Sequence, residues 1–274
     1  EITGVDLVEW QLRVASGEPL PKRQEDLSIN GHAIEARLYA EDPAKGFLPS
    51  TGRVHLFQVL APARIETGIE DGDTVSPFYD PMIAKVICRA NDRQSAITAL
   101  RKACRNTLIA GVRSNAGFLA RLVGAPEFSA GDFDTGFIAS RPTYSETPDE
   151  LTERLFEDSA ILALGQSLCP DQGRWHGPSI EHSYYLKFGS DPWRQALGFR
   201  LNGEWNFKIP LVIGQETRIQ ELPEDYFTRR IEGYPGGHGG AVFKDGEALE
   251  FASRNDGTGQ ASAADGASIA PMPG

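Results

Sequence analysis

The chain reads as an α+β protein in two folded units, and three patterns predict this. In the first half, strand-like runs at about 31–40, 52–58, 63–67 and 82–89 are interspersed with helix-like runs at about 3–15, 93–107 and 115–123. Residues 139–149, rich in Pro, Ser and Thr, break both periodicities and read as a linker. After it, one helix over 150–166 precedes about eight short strand-like runs, which predicts an antiparallel barrel wrapped on its own helix. A length of 274 residues allows one or two domains, and 40% hydrophobic content is enough for folded cores.

Taken in order, Thr3 followed by Asp6 predicts a capping box that opens a helix through about Ala15, with Val5, Val8 and Leu12 on one side. Gly17-Glu18-Pro19 stops it. In the strand over 31–40 side chains alternate between faces, so His32, Ile34, Ala36 and Leu38 share one face while Glu35, Arg37 and Tyr39 share the other. A guanidinium held by a neighbouring carboxylate is a rigid fork of donors suited to a planar oxygen acceptor. A cross-strand ion pair on a solvated sheet face accounts for the same pattern, and the pattern alone favours it. Turn signals Asp71-Gly72 and Pro77 mark 69–79 as a connection, after which Met82 to Arg89 is an apolar strand with Lys85 within it. Asn91-Asp92 caps the strongest helix, about 93–107, with Ile97, Leu100, Cys104 and Leu108 at three- and four-residue spacing and Gly111 ending the element. Arg101, Lys102 and Arg105 read as its solvated face. A further helix runs from Asn115 to Val123, with Phe118, Leu119 and Leu122 apolar.

In the second half, Leu151, Leu155, Phe156, Ile161, Leu162, Leu164 and Leu168 spread around most of the helix circumference, so that helix must be enclosed. The strand-like runs are Ser183–Phe188, Gly198–Leu201, Glu204–Ile209, Leu211–Ile213, Thr217–Gln220, Tyr226–Ile231, Gly240–Phe243 and Ala248–Ser253. Asn202-Gly203 and Asp245-Gly246 predict tight hairpins. Gly233 to Gly240 is glycine-rich but lacks the Lys and the strand–helix setting of a phosphate loop, so it reads as a turn-rich connection with His238 exposed. Residues 254–266 have the composition of a flexible tether.

A net charge of −11 argues against a nucleic-acid or anionic-membrane partner. Cys88, Cys104 and Cys169 make an odd set with no CxxC spacing, which reads as reduced cysteines of an intracellular protein. The five histidines form no HxH or HxxxH pair, so no zinc site is expected. No apolar run is long enough to span a membrane.

Several ordered motifs then narrow the reading. They are Thr3-Gly-Val-Asp-Leu-Val8, Gly31-His-Ala-Ile-Glu-Ala-Arg37, Ala40-Glu-Asp-Pro43, Phe47-Leu-Pro-Ser-Thr-Gly52, Tyr79-Asp-Pro-Met-Ile-Ala-Lys85 and Gly111-Val-Arg-Ser-Asn115. Together they closely resemble the last third of the biotin carboxylase domain of biotin-dependent carboxylases, over roughly residues 1–140. The resemblance implies the C-terminal subdomain of an ATP-grasp biotin carboxylase, an antiparallel sheet with helices. It implies that Arg37 contacts the ureido group of biotin, and Glu35, on the same strand face, is placed to hold Arg37 in orientation. Asp80 falls near the implied biotin site and dimer contact, although an Asp-Pro turn initiator explains it as well. Lys85 is expected to meet Glu35 or Asp80 across the sheet as a structural pair. Thr135 lies in the Asp132–Ile138 segment that returns to the adenine in the family, where its backbone could contact nucleotide.

The cofactors implied are biotin, ATP and Mg²⁺ or Mn²⁺. The family's ATP-covering loop and metal-binding glutamates precede the Thr3–Val8 motif, so the chain reads as an internal fragment with no metal ligands and no biotinyl lysine of its own. The chain alone is therefore expected to be inactive, because ATP and Mg²⁺ need carboxylates and phosphate donors converging on one site. Biotin-dependent ATP hydrolysis by the purified 274-residue chain would overturn this.

The helix-plus-barrel half resembles the mediator (BT) domain of acyl-CoA carboxylase α subunits, which docks on a carboxyltransferase β subunit. Asp191-Pro192-Trp193 with Gly198-Phe-Arg-Leu-Asn202 most resembles the 3-methylcrotonyl-CoA type, with the geranyl-CoA type as nearest alternative. Trp193 is either an interface anchor or a barrel-core aromatic, the second being the simpler reading. Ile269-Ala-Pro-Met-Pro-Gly274 resembles the opening of a biotinyl carrier domain. The resemblance divides the chain into 1–140 (carboxylase portion), 141–149 (linker), 150–254 (mediator domain), 255–266 (flexible linker) and 267–274 (start of the carrier domain). It also implies self-association of carboxylase domains, and a bacterial cytoplasmic or eukaryotic mitochondrial-matrix location. A rival of another class is a non-catalytic interaction module built on a carboxylase remnant.

Overall fold

A computed structural model of the chain describes residues 1–168, 208–221, 231–236 and 239–253. Helix α1 (Leu7–Ala15) is capped by Asp6, whose carboxylate accepts from the Val8 and Glu9 N–H groups at 2.9 and 3.0 Å. The cap is thus Asp6 alone rather than the expected Thr3–Asp6 box, because two free N–H groups of the first turn already find one acceptor there. No α1 residue is buried, and the predicted apolar side at Val8 and Leu12 is open to solvent.

Eight strands follow: β1 (His32–Tyr39), β2 (Glu41–Asp42), β3 (Leu48–Pro49), β4 (Gly52–Arg53), β5 (Leu56–Val59), β6 (Arg64–Thr67), β7 (Thr74–Val75) and β8 (Met82–Ala90). Next come α2 (Arg93–Arg105), β9 (Thr107–Ala110), α3 (Ala116–Val123), α4 (Pro126–Ala130) and α5 (Phe137–Ser140). The central sheet has order β1-β8-β6, antiparallel throughout. Its inner face, Ala36, Val86 and Cys88, packs on Ile97, Leu100, Ala103 and Cys104 of α2 and on Ala120 and Val123 of α3. This is the alternation expected of a sheet with one face on a core.

Two expectations are corrected here. The run over 52–58 is broken into β4 and β5, and β4 pairs with β7 inside the predicted connecting loop. The helix over 93–107 ends at Arg105, and Leu108 belongs to a strand, β9, that pairs with β5 (Leu56↔Ala110 to Val59↔Thr107). Leu108 satisfies the helical spacing, but the β-branched residues in Thr107-Leu-Ile-Ala110 fit a sheet, and β5 offers them a free edge.

Cys88 and Cys104 are buried and free. Burial, with Cys88 as a lesser cause, pushes the Cys104 thiol up to about 12, and burial also raises Cys88. Since the thiolate is the nucleophile, both are expected to resist iodoacetamide at pH 8 in the native chain and to react in urea. Prompt native labelling of Cys104, mapped by mass spectrometry, would contradict this burial.

The second unit opens with α6 (Asp149–Leu168) and continues with β10 (Lys208–Ile213), β11 (Glu216–Glu221), β12 (Glu232–Gly236), β13 (Gly239–Lys244) and β14 (Glu247–Ser253). These strands form an antiparallel sheet of order β11-β10-β14-β13-β12. In α6, Leu155 and every residue from Asp158 to Ala163 are buried, so that stretch is covered on all sides, as its circumferential apolarity predicts. Leu155 and Leu162 pack with Leu211, Val242, Leu249 and Phe251. Asp245 and Gly246 have φ of 52° and 81°, the backbone an Asp-Gly two-residue hairpin demands.

The runs predicted on either side of Pro210 are one strand, since Pro210 sits in register with Ile219 inside β10. Gly233, expected in a turn-rich connection, lies in an arm of the β12–β13 hairpin, and Gly240 lies in the other arm, where the run Gly240–Phe243 is expected. The runs Ser183–Phe188 and Gly198–Leu201, most of Glu204–Ile209 and of Tyr226–Ile231, the Asn202-Gly203 hairpin, Trp193, Cys169, His238, the tether 254–266 and the segment 269–274 lie outside the described residues.

The β13–β14 turn rests on the first unit. Arg121 of α3 pairs with Glu247 at 2.7 Å, both largely buried, and also donates to the Tyr144 carbonyl. Arg105 lies on the solvated face, as expected, and there pairs with Asp245. Among the described residues no helix is long and apolar enough to cross a membrane.

Candidate functional site

Strand β1 is the edge of its sheet, and its burial alternates as the sequence predicts: Ala36 and Leu38 are buried, Glu35 and Arg37 exposed. The Arg37 and Glu35 side chains are 62% and 43% exposed, with Arg37 Nε 3.5 Å from Glu35 Oε1. Tyr39 first, and then Glu35, hold the Arg37 guanidinium above its ordinary pKa, so it stays charged at any physiological pH. The expected trio of carboxylate, guanidinium and phenol therefore lies on one solvent-facing surface.

Across the sheet, Arg37 stands opposite Lys85, and Lys85 stands opposite Glu66. Beyond it Arg64 pairs with Glu66 and, at 2.6 Å, with Glu1. The outer face is thus a charged surface on which the cations Arg37 and Lys85 stand side by side with Glu35 and Glu66 near them, and Arg37 is at its edge. This corrects the expectation for Lys85: no ion pair joins it to Glu35 or Asp80. Register explains why, since β8 places Ile87 rather than Lys85 opposite Glu35. Like-charged neighbours directly opposite repel, and Arg37 finds its carboxylate on its own strand, in Glu35.

Asp80 accepts from the Met82 N–H at 3.1 Å, the local turn that an Asp-Pro initiator makes. Its charge still reaches the neighbouring strand. Burial, and secondarily Asp80, raises the Glu41 carboxyl above its ordinary range. Thr135 is exposed in the loop before α5, where Asp134 Oδ1 accepts from the Gly136 N–H at 2.8 Å. No hydrogen bond joins Thr135 to the Arg37 strand among the described residues. The fold therefore gathers Glu35, Arg37 and Lys85 on one sheet face, while Asp80 precedes that sheet's central strand and Thr135 stands apart.

Sequence reasoning missed one contributor. Asn115, only 5% exposed, receives the Tyr39 N–H on Oδ1 at 3.0 Å and donates from Nδ2 to the Arg37 carbonyl at 3.3 Å. Its position at the head of α3 was legible, but its partner 76 residues away was not. Among the described residues no group of three His, Cys, Asp or Glu side chains is arranged to hold a metal ion.

Comparison with known proteins bears on this surface. Residues 35–140 match the profile of the biotin carboxylase C-terminal domain. The mitochondrial methylcrotonoyl-CoA carboxylase subunit alpha of Mus musculus is 55% identical over 140 residues, 50% of this chain and 20% of that protein. The corresponding protein of Dictyostelium discoideum is 40% identical over 204 residues, 73% of this chain and 28% of that protein. The mitochondrial propionyl-CoA carboxylase alpha chain of Sus scrofa is 40% identical over 171 residues, 61% of this chain and 23% of that protein. This chain thus spans between a fifth and three tenths of the length of these relatives. Among solved structures, the biotin carboxylase domain of a thermophilic 2-oxoglutarate carboxylase bound to bicarbonate superposes with a TM-score of 0.52 at 37% identity. That superposition covers 54% of this chain and 34% of that one. By motif order, profile and fold, residues 35–140 belong to the biotin carboxylase C-terminal domain family.

Proposed function

We propose that this chain is part of the biotin-bearing α subunit of a biotin-dependent acyl-CoA carboxylase, a ligase that uses ATP and bicarbonate, and that Arg37 contacts the ureido oxygen of biotin. The observation that carries the reading is an exposed guanidinium braced on an edge strand by Glu35 and Tyr39. The ureido group is a planar acceptor, and the residues present fit it: Arg37 offers a two-donor fork facing open space. Bound biotin supplies the nitrogen that takes up the carboxyl group. Arg37 holds the adjacent oxygen and favours negative charge there, and Glu35 limits the directions in which the guanidinium can turn. In this reading Asp80 supports the turn into β8, Lys85 and Glu66 balance charge beside Arg37, and Thr135 lies on the adenine side of a site completed by residues outside this chain. The Mg²⁺ or Mn²⁺ ligands belong to those other residues.

For the second half we propose a mediator domain over 150–254, joined by the linker 141–149, in which the described sheet closes as a barrel around α6 and docks on a carboxyltransferase β subunit. The enclosure of Leu155 and Ile161 supports it. The tether 255–266 would then lead to a carrier domain beginning at 267–274. Among substrates, 3-methylcrotonyl-CoA is favoured. The relative of that type at 55% identity and the one matched over 73% of this chain support the choice over propionyl-CoA, and geranyl-CoA is the further alternative. Those relatives also favour a mitochondrial-type protein.

The test is the intact α subunit assayed with its β subunit, ATP, bicarbonate and each acyl-CoA in turn. The expected outcome is co-purification of the two subunits and carboxylation of 3-methylcrotonyl-CoA at about 10-fold or greater kcat/KM over propionyl-CoA, the scale on which one apolar pocket separates substrates. An α subunit that neither binds a β subunit nor fixes bicarbonate would favour the non-catalytic interaction module.

A further inference from the structure

Resting on the Arg37 reading, we infer that Asn115 is a positioning residue for biotin carboxylation: it serves β1 as a substitute strand neighbour and sets the backbone from which Arg37 projects. Three observations carry this. First, β1 pairs with β8 on one side only, so the backbone groups on its other edge need partners. Asn115 supplies them at the residues that matter. Its Oδ1 accepts from the Tyr39 N–H at 3.0 Å, its Nδ2 donates to the Arg37 carbonyl at 3.3 Å, and its own N–H donates to the Tyr39 carbonyl at 3.2 Å. A carboxamide offers a donor and an acceptor in one plane, as a peptide group does, so this side chain can replace a short piece of strand.

Second, Asn115 stands at the N-cap of α3, a position where Asn ordinarily satisfies the first turn of its own helix. Here the side chain makes no capping hydrogen bond, and the amide is directed to β1 instead. The local role has been given up for the distant one. Third, the amide is buried while its partner strand presents Arg37 to solvent. A buried group bonded through both its donor and its acceptor is a rigid support, whereas the exposed Arg37–Glu35 pair holds the guanidinium only weakly. The backbone of Arg37 is therefore fixed from the core side, through Asn115, rather than from the surface.

The inference is tested in the intact carboxylase with Asn115→Ser, Arg37→Ala and the double variant. Ser is a strong N-cap, so Asn115→Ser retains the start of α3 but is too short to bridge the two sites on β1. Asn115→Ser is expected to lower turnover with biotin about 10- to 100-fold, the scale of a small misplacement of a catalytic group, with KM for ATP unchanged. In the Arg37→Ala background the same substitution is expected to add less than about a 2-fold loss, because a residue that acts only through Arg37 has nothing left to position.

Losses that multiply in the double variant, or near-normal turnover of Asn115→Ser beside a crippled Arg37→Ala, would overturn the role of Asn115 and leave that of Arg37 standing. Near-normal turnover of Arg37→Ala would overturn both. Hydrogen exchange on the intact carboxylase gives a readout independent of activity: the Tyr39 amide is expected to lose protection in Asn115→Ser. Unchanged protection there would contradict the inference even if the variant proved too unstable to assay.

Discussion

Arg37→Ala and Arg37→Lys are each expected to lower the turnover of biotin carboxylation by about 10²–10³ in the intact enzyme, with ATP binding little changed. As the ureido nitrogen becomes nucleophilic, negative charge builds on the ureido oxygen, and a guanidinium fixed beside that oxygen stabilises the charge where it develops. Lys keeps the charge but loses the planar two-donor fork, so it does not restore the rate. The exposure of Arg37 is part of the argument, because a side chain in open space can reach a ligand without displacing core. The opposed Lys85 sharpens the distinction: if only net positive charge mattered, Lys85 would cover for Arg37→Ala. Near-normal turnover in both variants would reduce Arg37 and Glu35 to a solvated ion pair on a sheet face.

Gly111→Ala is expected to be the most destabilising single-methyl change in the first unit, by roughly 3–5 kcal/mol. Gly111 has φ of +100° at the end of β9, a conformation L residues rarely adopt. A Cβ there would stand 1.9 Å from the Arg53 carbonyl oxygen and 3.0 Å from a ring carbon of His55. The carbonyl is backbone, so relief requires β4 and the start of β5 to move away from β9, taking Val54 and Leu56 out of the core. The Gly111 N–H also donates to Glu250 of β14, so the shift would loosen the contact between the two units. Chemical denaturation checks this, with Gly68→Ala as the control, since a Cβ at Gly68 meets nothing within 4 Å and should change stability by under about 0.5 kcal/mol. A Gly111→Ala midpoint equal to that of the control would mean that the β4–β9 approach is looser than described.

Much of the site's chemistry was legible because it is local. The two-residue period of β1 places Glu35 and Arg37 on one face without reference to anything else in the chain. The order of short motifs over the first 140 residues names the family. The circumferential apolarity of α6 requires enclosure, and the Asp245-Gly246 pair specifies a two-residue hairpin. What stayed hidden is non-local. Leu108 obeys a helical spacing equally well, and only the free edge of β5 makes its segment a strand. Lys85 was assigned the wrong neighbours because a strand's sequence gives its faces but not its register against another strand. Arg105 finds Asp245 140 residues away.

The sequence by itself thus determined most of the helices and strands of the first unit, the faces of β1 and the family of residues 35–140. Only the tertiary structure decided that Lys85 stands between Arg37 and Glu66, that the β13–β14 turn seats on α2 and α3, and that Asn115 braces the strand carrying Arg37. The physical reason is the reach of the interactions. Side-chain periodicity and turn chemistry act within a few residues and are written along the chain. An edge strand's unpaired N–H and C=O groups accept any partner of the right geometry, and which one arrives is settled by how the whole core packs.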